Sequence, residues 1–214
     1  MRFRWVTYDV NYLLPLHWQQ DIAAVAREAD CRDFPRTPLL SREAPDVRSI
    51  RRGRVHADQV RDRLPWLHAL YAGTFRNMAE DACGEAVVTA QDHRYSVVLN
   101  IQRGQSMRFE SHVDSNPLSG LLFLTDHPTG GGELAIAHDS AASDVAAVDR
   151  ACTTIWPHAG HMIFFDGRRR AHYARPLKAG SDLRVVAVMN YYTASSPEST
   201  RSRVLNHHLY GDPL

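Results

Sequence analysis

The spacing of apolar residues changes its period near residue 85. Before that point apolar positions recur as on a helix. His17 through Ala29 places Ile22, Val25 and Ala26 together with charges between them, and Ala57 to Cys83 carries Val60, Leu64, Leu67, Leu70, Tyr71, Phe75 and Met78 as one sustained stripe. Pro65 inside the stripe marks a kink or a fresh start, because proline removes a helical N–H and clashes with the preceding turn. These segments predict helices that brace another layer. Between them, Asp33 to Arg54 is rich in proline and arginine and has no clean period. It predicts a long loop, for which a substrate-covering lid competes with a solvated basic loop.

After Glu85 the pattern is one of short alternating or apolar runs between turn residues. Strands are predicted at Ala86–Ala90, Tyr95–Gln102, Met107–Asp114, Leu118–Thr125, Glu133–His138, Thr153–Trp156, His161–Asp166 and Leu183–Thr193. Short strands in this number predict two packed sheets or a barrel, in the manner of jelly rolls and cupins. The fold class is therefore mainly β with N-terminal helices. One domain over 1–214 is expected, with helical support and a lid at 1–84, a β core at 85–195 and a C-terminal tail at 196–214.

Composition narrows the partners. The 214 residues, 44% hydrophobic, suffice for one sizeable core. A formal charge of +1 calls for neither nucleic acid nor an anionic membrane. The apolar runs are too short to span a bilayer, and Met1 to Val10 is too polar for a signal segment, so a cytoplasmic protein is expected. Cys31, Cys83 and Cys152 are too scattered for a disulfide framework or a zinc knuckle. Lys178 is the only lysine among many arginines, a bias expected of a GC-rich bacterial genome.

The candidate chemistry begins at His112-Val-Asp114. On a strand, residues i and i+2 share a face, so both side chains can reach one metal while Val113 packs behind. A second imidazole, His172, would complete a 2-His-1-carboxylate set that leaves three positions open on Fe(II). A structural zinc site would close its shell with cysteines, and none is near. His127, His138, His158 and His161 are rival ligands, read here as surface or turn residues. Arg184 interrupts the apolar run Leu183 to Asn190 on a face shared with Val186, Val188 and Asn190. A charge there needs a partner, and a guanidinium pairs with a carboxylate through two parallel hydrogen bonds. Arg168 to Arg170 and the Arg48–Arg54 cluster offer charge for an anionic substrate, against the commoner reading of a solvated charge run.

In order along the chain stand His112-Val-Asp114, Leu121-Leu-Phe-Leu124, Gly131-Gly-Glu-Leu134, Pro157-His-Ala-Gly160 leading to Phe165, then His172 and Arg184. This series resembles the Fe(II)/2-oxoglutarate-dependent oxygenases, specifically the prolyl-4-hydroxylase-like branch with its double-stranded β-helix, over roughly Tyr95 to Thr193. The resemblance implies Fe(II) on His112, Asp114 and His172, with 2-oxoglutarate and O2 as cosubstrates and the far carboxylate of 2-oxoglutarate on Arg184. It also implies release of succinate and CO2, usually with hydroxylation of an unactivated C–H bond. Related halogenases carry a small residue where Asp114 stands, so a hydroxylase is the closer likeness. Two tyrosine positions of the family correspond here to Gln102 and Phe123. Phe123 cannot hydrogen-bond a carboxylate, and Gln102 is the candidate secondary cosubstrate contact. A small molecule such as an amino acid or biosynthetic intermediate is the first expectation for the substrate, and a peptidyl substrate the second. A non-catalytic cupin-like binding protein and a zinc hydrolase are the readings from other classes.

Overall fold

A computed structural model of the chain describes residues 5–127, 130–178 and 183–213. In chain order the elements are β1 (Val6–Asp9), α1 (Trp18–Ala26), β2 (Asp30–Pro35), β3 (Ser49–Val55), α2 (Ala57–Arg63), α3 (Pro65–Ala72), α4 (Thr74–Cys83), β4 (Val87–Thr89), β5 (Val97–Arg103), β6 (Leu118–Phe123), β7 (Leu134–Ala137), α5 (Val145–Arg150), β8 (Cys152–Ile155), β9 (His161–Phe165), β10 (His172–Ala174), β11 (Leu183–Thr193) and α6 (Arg203–Tyr210). A major sheet runs β1-β9-β6-β11-β5-β3-β2, with β4 on the far part of β11, and a minor sheet runs β10-β7-β8. Pairing is antiparallel throughout.

The alternation along β11 sorts the layers. Val185, Ala187, Met189 and Tyr191 point into a core shared with Ile22 and Val25 of α1, Val60 of α2, Leu67 and Tyr71 of α3 and Phe75 of α4. Val186 points the other way, into a core between the sheets with Leu121, Phe123, Leu134, Ile136, Ile155, Ile163 and Phe165. The helices thus back the major sheet, and its opposite face meets the minor sheet. Tyr71 pins the two layers together: its hydroxyl donates to Asn190 O at 2.8 Å and accepts from Ala90 N at 2.8 Å.

The long helical stripe divides into three helices. Pro65 opens α3, at a position where its missing N–H is harmless, and Gly73 separates α3 from α4.

The order of helix first and sheet second does not hold, because β1, β2 and β3 lie in the N-terminal part. β2 and β3 form a hairpin, with Asp30 opposite Arg54 and Phe34 opposite Ile50, and β3 joins β5 through Gly53 opposite Ile101. A side chain at 53 has no room, since its Cβ would lie 2.8 Å from Cys31 Sγ and 2.9 Å from Ile101 Cβ. Of the predicted 33–54 loop, residues 36–48 connect these strands. Met107–Asp114 is not a regular strand: within it only His112 makes isolated bridges, to Ser41 and to His172. Tyr95 sits in a 3-10 turn before β5. The 196–214 tail contains α6, held by Arg94 Nη2 on Asp212 at 2.6 Å and by Tyr95 Oη on Asn206 at 2.9 Å.

Candidate metal centre

The pairing of two backbone segments sets the geometry. His112 N donates to His172 O at 3.1 Å and His172 N to His112 O at 2.9 Å, so the two residues face each other across a close antiparallel bridge. Their rings stand 4.5 Å apart, centre to centre. Asp114 N donates to Gly167 O at 3.1 Å, which carries the carboxylate to the same point. Asp114 Oδ1 lies 3.5 Å from His112 Nε2 and 3.5 Å from His172 Nε2. Among the described residues this is the one group of three such side chains with ligand atoms all within 4.8 Å of one another.

Each imidazole is oriented from behind. His112 Nδ1 donates to Glu110 O at 2.7 Å and His172 Nδ1 to Arg170 O at 3.0 Å, which leaves both Nε2 lone pairs facing inward. Carbonyl oxygens only accept, so the tautomer follows from the partner. Asp114 Oδ2 accepts from Ser119 Oγ at 2.6 Å. Gly167 closes the other side: a Cβ there would lie 2.2 Å from Asp114 Oδ2 and 2.8 Å from His172 Cε1. Burial acts against charge on both His112 and Asp114, yet His172 and His112 together lower the Asp114 pKa, and Asp114 in turn raises that of His112. Two neutral imidazoles and one carboxylate at this spacing suit a divalent first-row metal, and the donor set fits Fe(II).

The same cavity extends to Arg184. Its lining includes His112, Asp114, His172, Asn100, Leu121 and Arg184. Arg184 is 3% exposed, its Nε has no hydrogen-bond partner, and burial pulls its pKa down against the opposing charge of Glu133. Gly132, just before β7, lets the backbone lie against this side chain, since a Cβ there would lie 2.7 Å from Arg184 Cδ. A buried cation with an unbonded donor fits an anionic ligand end.

Gln102 stands opposite Arg184 in the β5–β11 register, but its Nε2 donates to Met107 O at 3.1 Å and to Arg175 O at 2.8 Å. Only the acceptor Oε1 is left, which cannot bond a carboxylate; the expected secondary contact therefore lacks its donor. Asn100, two residues earlier on the same face, lines the cavity instead. The rival histidines lie apart from the centre. His127 is buried and not a surface residue, with Nε2 on Leu183 O at 2.7 Å, and Pro128 and Thr129 of its turn lie outside the described residues. His138 bonds Thr153, and His158 and His161 pack on each other.

The arginine clusters are largely structural. Arg168 pairs with Asp166 at 2.6 Å, and Arg170 caps the carbonyls of Ala137 and His138. Arg52 is buried over Phe34 and Phe109 with Glu110 at 3.7 Å. The chain between β2 and β3 runs beside the ligand segment: Arg42 N donates to Ser111 O at 2.6 Å and Val113 N to Leu40 O at 2.9 Å. Buried carboxylates fix it there, with Glu110 accepting from Thr37 N and Oγ1 at 2.7 and 2.8 Å and Glu43 accepting from Ser111 N and Arg108 Nη1, each at 2.6 Å. Ser119, Asn116 and Gly167 are absent from the expected site because no spacing rule marks them; only the folded contact does.

No family model and no curated protein matches the chain. Solved structures do. The epimerase SnoN in complex with Fe3+, alpha ketoglutarate and nogalamycin RO matches at a TM-score of 0.65 and 15% identity, over 100% of this chain and 89% of that one. An oxidoreductase of the 2OG-Fe(II) oxygenase family from Burkholderia pseudomallei gives 0.58 at 15% identity, over 90% and 86%. A prolyl-4-hydroxylase from Pseudomonas putida gives 0.54 at 15% identity, over 89% and 93%. The chain has the double-stranded β-helix fold of the Fe(II)/2-oxoglutarate oxygenases, the prolyl-4-hydroxylases among them.

Proposed function

We propose that this chain is an Fe(II)- and 2-oxoglutarate-dependent dioxygenase that hydroxylates an unactivated C–H bond of a small molecule. The observation that carries the reading is one cavity lined by His112, Asp114 and His172 and by Arg184, whose buried Nε has no hydrogen-bond partner. Bound there, Fe(II) with 2-oxoglutarate and O2 supplies oxidative decarboxylation to succinate and CO2, coupled to oxidation of the substrate. The protein's part is geometric. His112 and His172 present Nε2 and Asp114 presents Oδ1, leaving three positions for cosubstrate and oxygen. Arg184 holds the far carboxylate through charge-assisted hydrogen bonds. Leu121, Leu134, Phe165, Val186 and Val188 line the walls and keep water from the reacting atoms.

The small-molecule substrate is supported by the nogalamycin bound in the SnoN complex. SnoN is an epimerase, so product analysis must establish the hydroxylation outcome here. Anaerobic addition of Fe(II) and 2-oxoglutarate is expected to give a visible charge-transfer band, lost in Asp114→Ala and weakened in Arg184→Ala. With O2, succinate release should rise with substrates that gain one oxygen by mass. Zinc-dependent hydrolysis without the band would overturn the oxygenase reading, and ligand binding without succinate would mark a binding protein.

A further inference from the structure

We propose that Ser119, aimed by Asn116, is the positioning residue that holds Asp114 as a one-oxygen ligand, an assignment that rests on the iron site proposed above. The contacts read in one direction only. Asn116 Nδ2 donates to Leu118 O at 2.7 Å and to Ser119 Oγ at 2.9 Å. A carbonyl oxygen accepts and never donates, so the amide of Asn116 has its nitrogen on this side. Ser119 Oγ therefore accepts from Asn116, and its own proton goes to Asp114 Oδ2 at 2.6 Å. That is the length of a hydroxyl-to-carboxylate bond strengthened by charge. Asn116 and Ser119 are 4% and 2% exposed, so water does not compete for these groups.

The relay divides the labour of the carboxylate. Oδ1 faces the two Nε2 atoms, each 3.5 Å away, while Oδ2 is held by Ser119 and walled by Gly167, where even a Cβ would approach to 2.2 Å. With the hydroxyl removed, rotation about the Cβ–Cγ bond brings Oδ2 toward the metal. It then takes a position that a two-oxygen cosubstrate needs. Ser119 lies on β6 and Asn116 just before it, so this hydroxyl ties the Asp114 carboxylate to the major sheet.

The test is an anaerobic titration of the metal-free protein with Co(II) alone, following the visible d–d absorption, for the parent, Ser119→Ala, Ser119→Thr, Asn116→Ala and His112→Ala. Ser119→Ala is expected to bind Co(II) roughly ten- to a hundredfold more weakly, with a changed band as the carboxylate takes a second contact. Ser119→Thr keeps the hydroxyl and is expected to stay close to the parent in affinity and band. Asn116→Ala should show the same band change with a smaller loss. A Ser119→Ala protein with the parent's metal-free melting temperature, affinity and band overturns the relay. If Ser119→Ala fails to fold, Asn116→Ala decides, and parent-like binding in it overturns the relay equally. A parent that gives no Co(II) band, or one that His112→Ala leaves intact, instead overturns the metal site itself and the relay with it.

Discussion

At Arg184 a guanidinium 3% exposed keeps Nε unbonded, with Glu133 as the opposing charge that acts on it. Such a group costs stability in the free protein, because the charge has left water without a hydrogen-bonded counterion. Arg184→Met is expected to stabilise the cosubstrate-free protein by about 1–2 kcal/mol while abolishing 2-oxoglutarate binding. Urea unfolding and a 2-oxoglutarate titration on the same variant check both halves. Arg184 stood out in the sequence because it interrupts an apolar run, whereas His112, Asp114 and His172 were singled out by their order along the chain and the family resemblance that this order carries. Ser119, Asn116 and Gly167 carry neither mark. A serine on a strand and a glycine in a turn are ordinary until the fold places them against Asp114. Gln102 shows the converse: its position was readable, but the backbone carbonyls that occupy its amide belong to Met107 and Arg175, the latter 73 residues away in sequence.

Among the elements, the β2–β3 connection has a larger part than a covering loop. Glu43 is 6% exposed and joins Arg108 to the backbone of Ser111, directly before His112. Glu43→Ala strands a partly buried guanidinium and frees a buried N–H, so a loss of roughly 3–5 kcal/mol in urea unfolding is expected. The hairpin that carries this connection was hidden because β2 is an edge strand. Its charged residues and Pro35 suit an unpaired edge and erase the alternation that marks a half-buried strand. By contrast β11, buried on both faces and long, was legible from end to end.

The terminal helix α6 has a different dependence. Arg94 holds Asp92 and Asp212 below the ordinary carboxylate value of 3.8, with bonds to Asn206 and Arg201 beside them. Both shifts are downward, so their stabilisation is present above about pH 4 and is lost as pH falls through the lowered values. The protection of amides 203–210, taken relative to the intrinsic exchange rate at each pH, should therefore fall below that pH, and Arg94→Ala should produce the same loss of protection at neutral pH. Unchanged protection in either case would remove Arg94 as the anchor.

For the whole molecule, a centre built from both sheets makes ligand binding a stability term. His172 belongs to the minor sheet and Arg184 to the major one, and a ligand that spans them resists their separation. On the Mn(II)-loaded protein, 2-oxoglutarate at a hundredfold excess over its Kd should add about 2.7 kcal/mol, a further rise in Tm of roughly 5–10 °C. Arg184→Ala should keep only the rise due to metal, as differential scanning calorimetry would report.

The place of β11 between β5 and β6 has a further result during synthesis. Those two flanking strands leave the ribosome long before the strand that separates them. A nascent chain ending near residue 180 has a gap in the middle of its principal sheet, with two rows of unpaired backbone groups facing each other across it. Such edges invite pairing with neighbouring chains. Until β11 is made and takes its place, β5 and β6 keep these edges open.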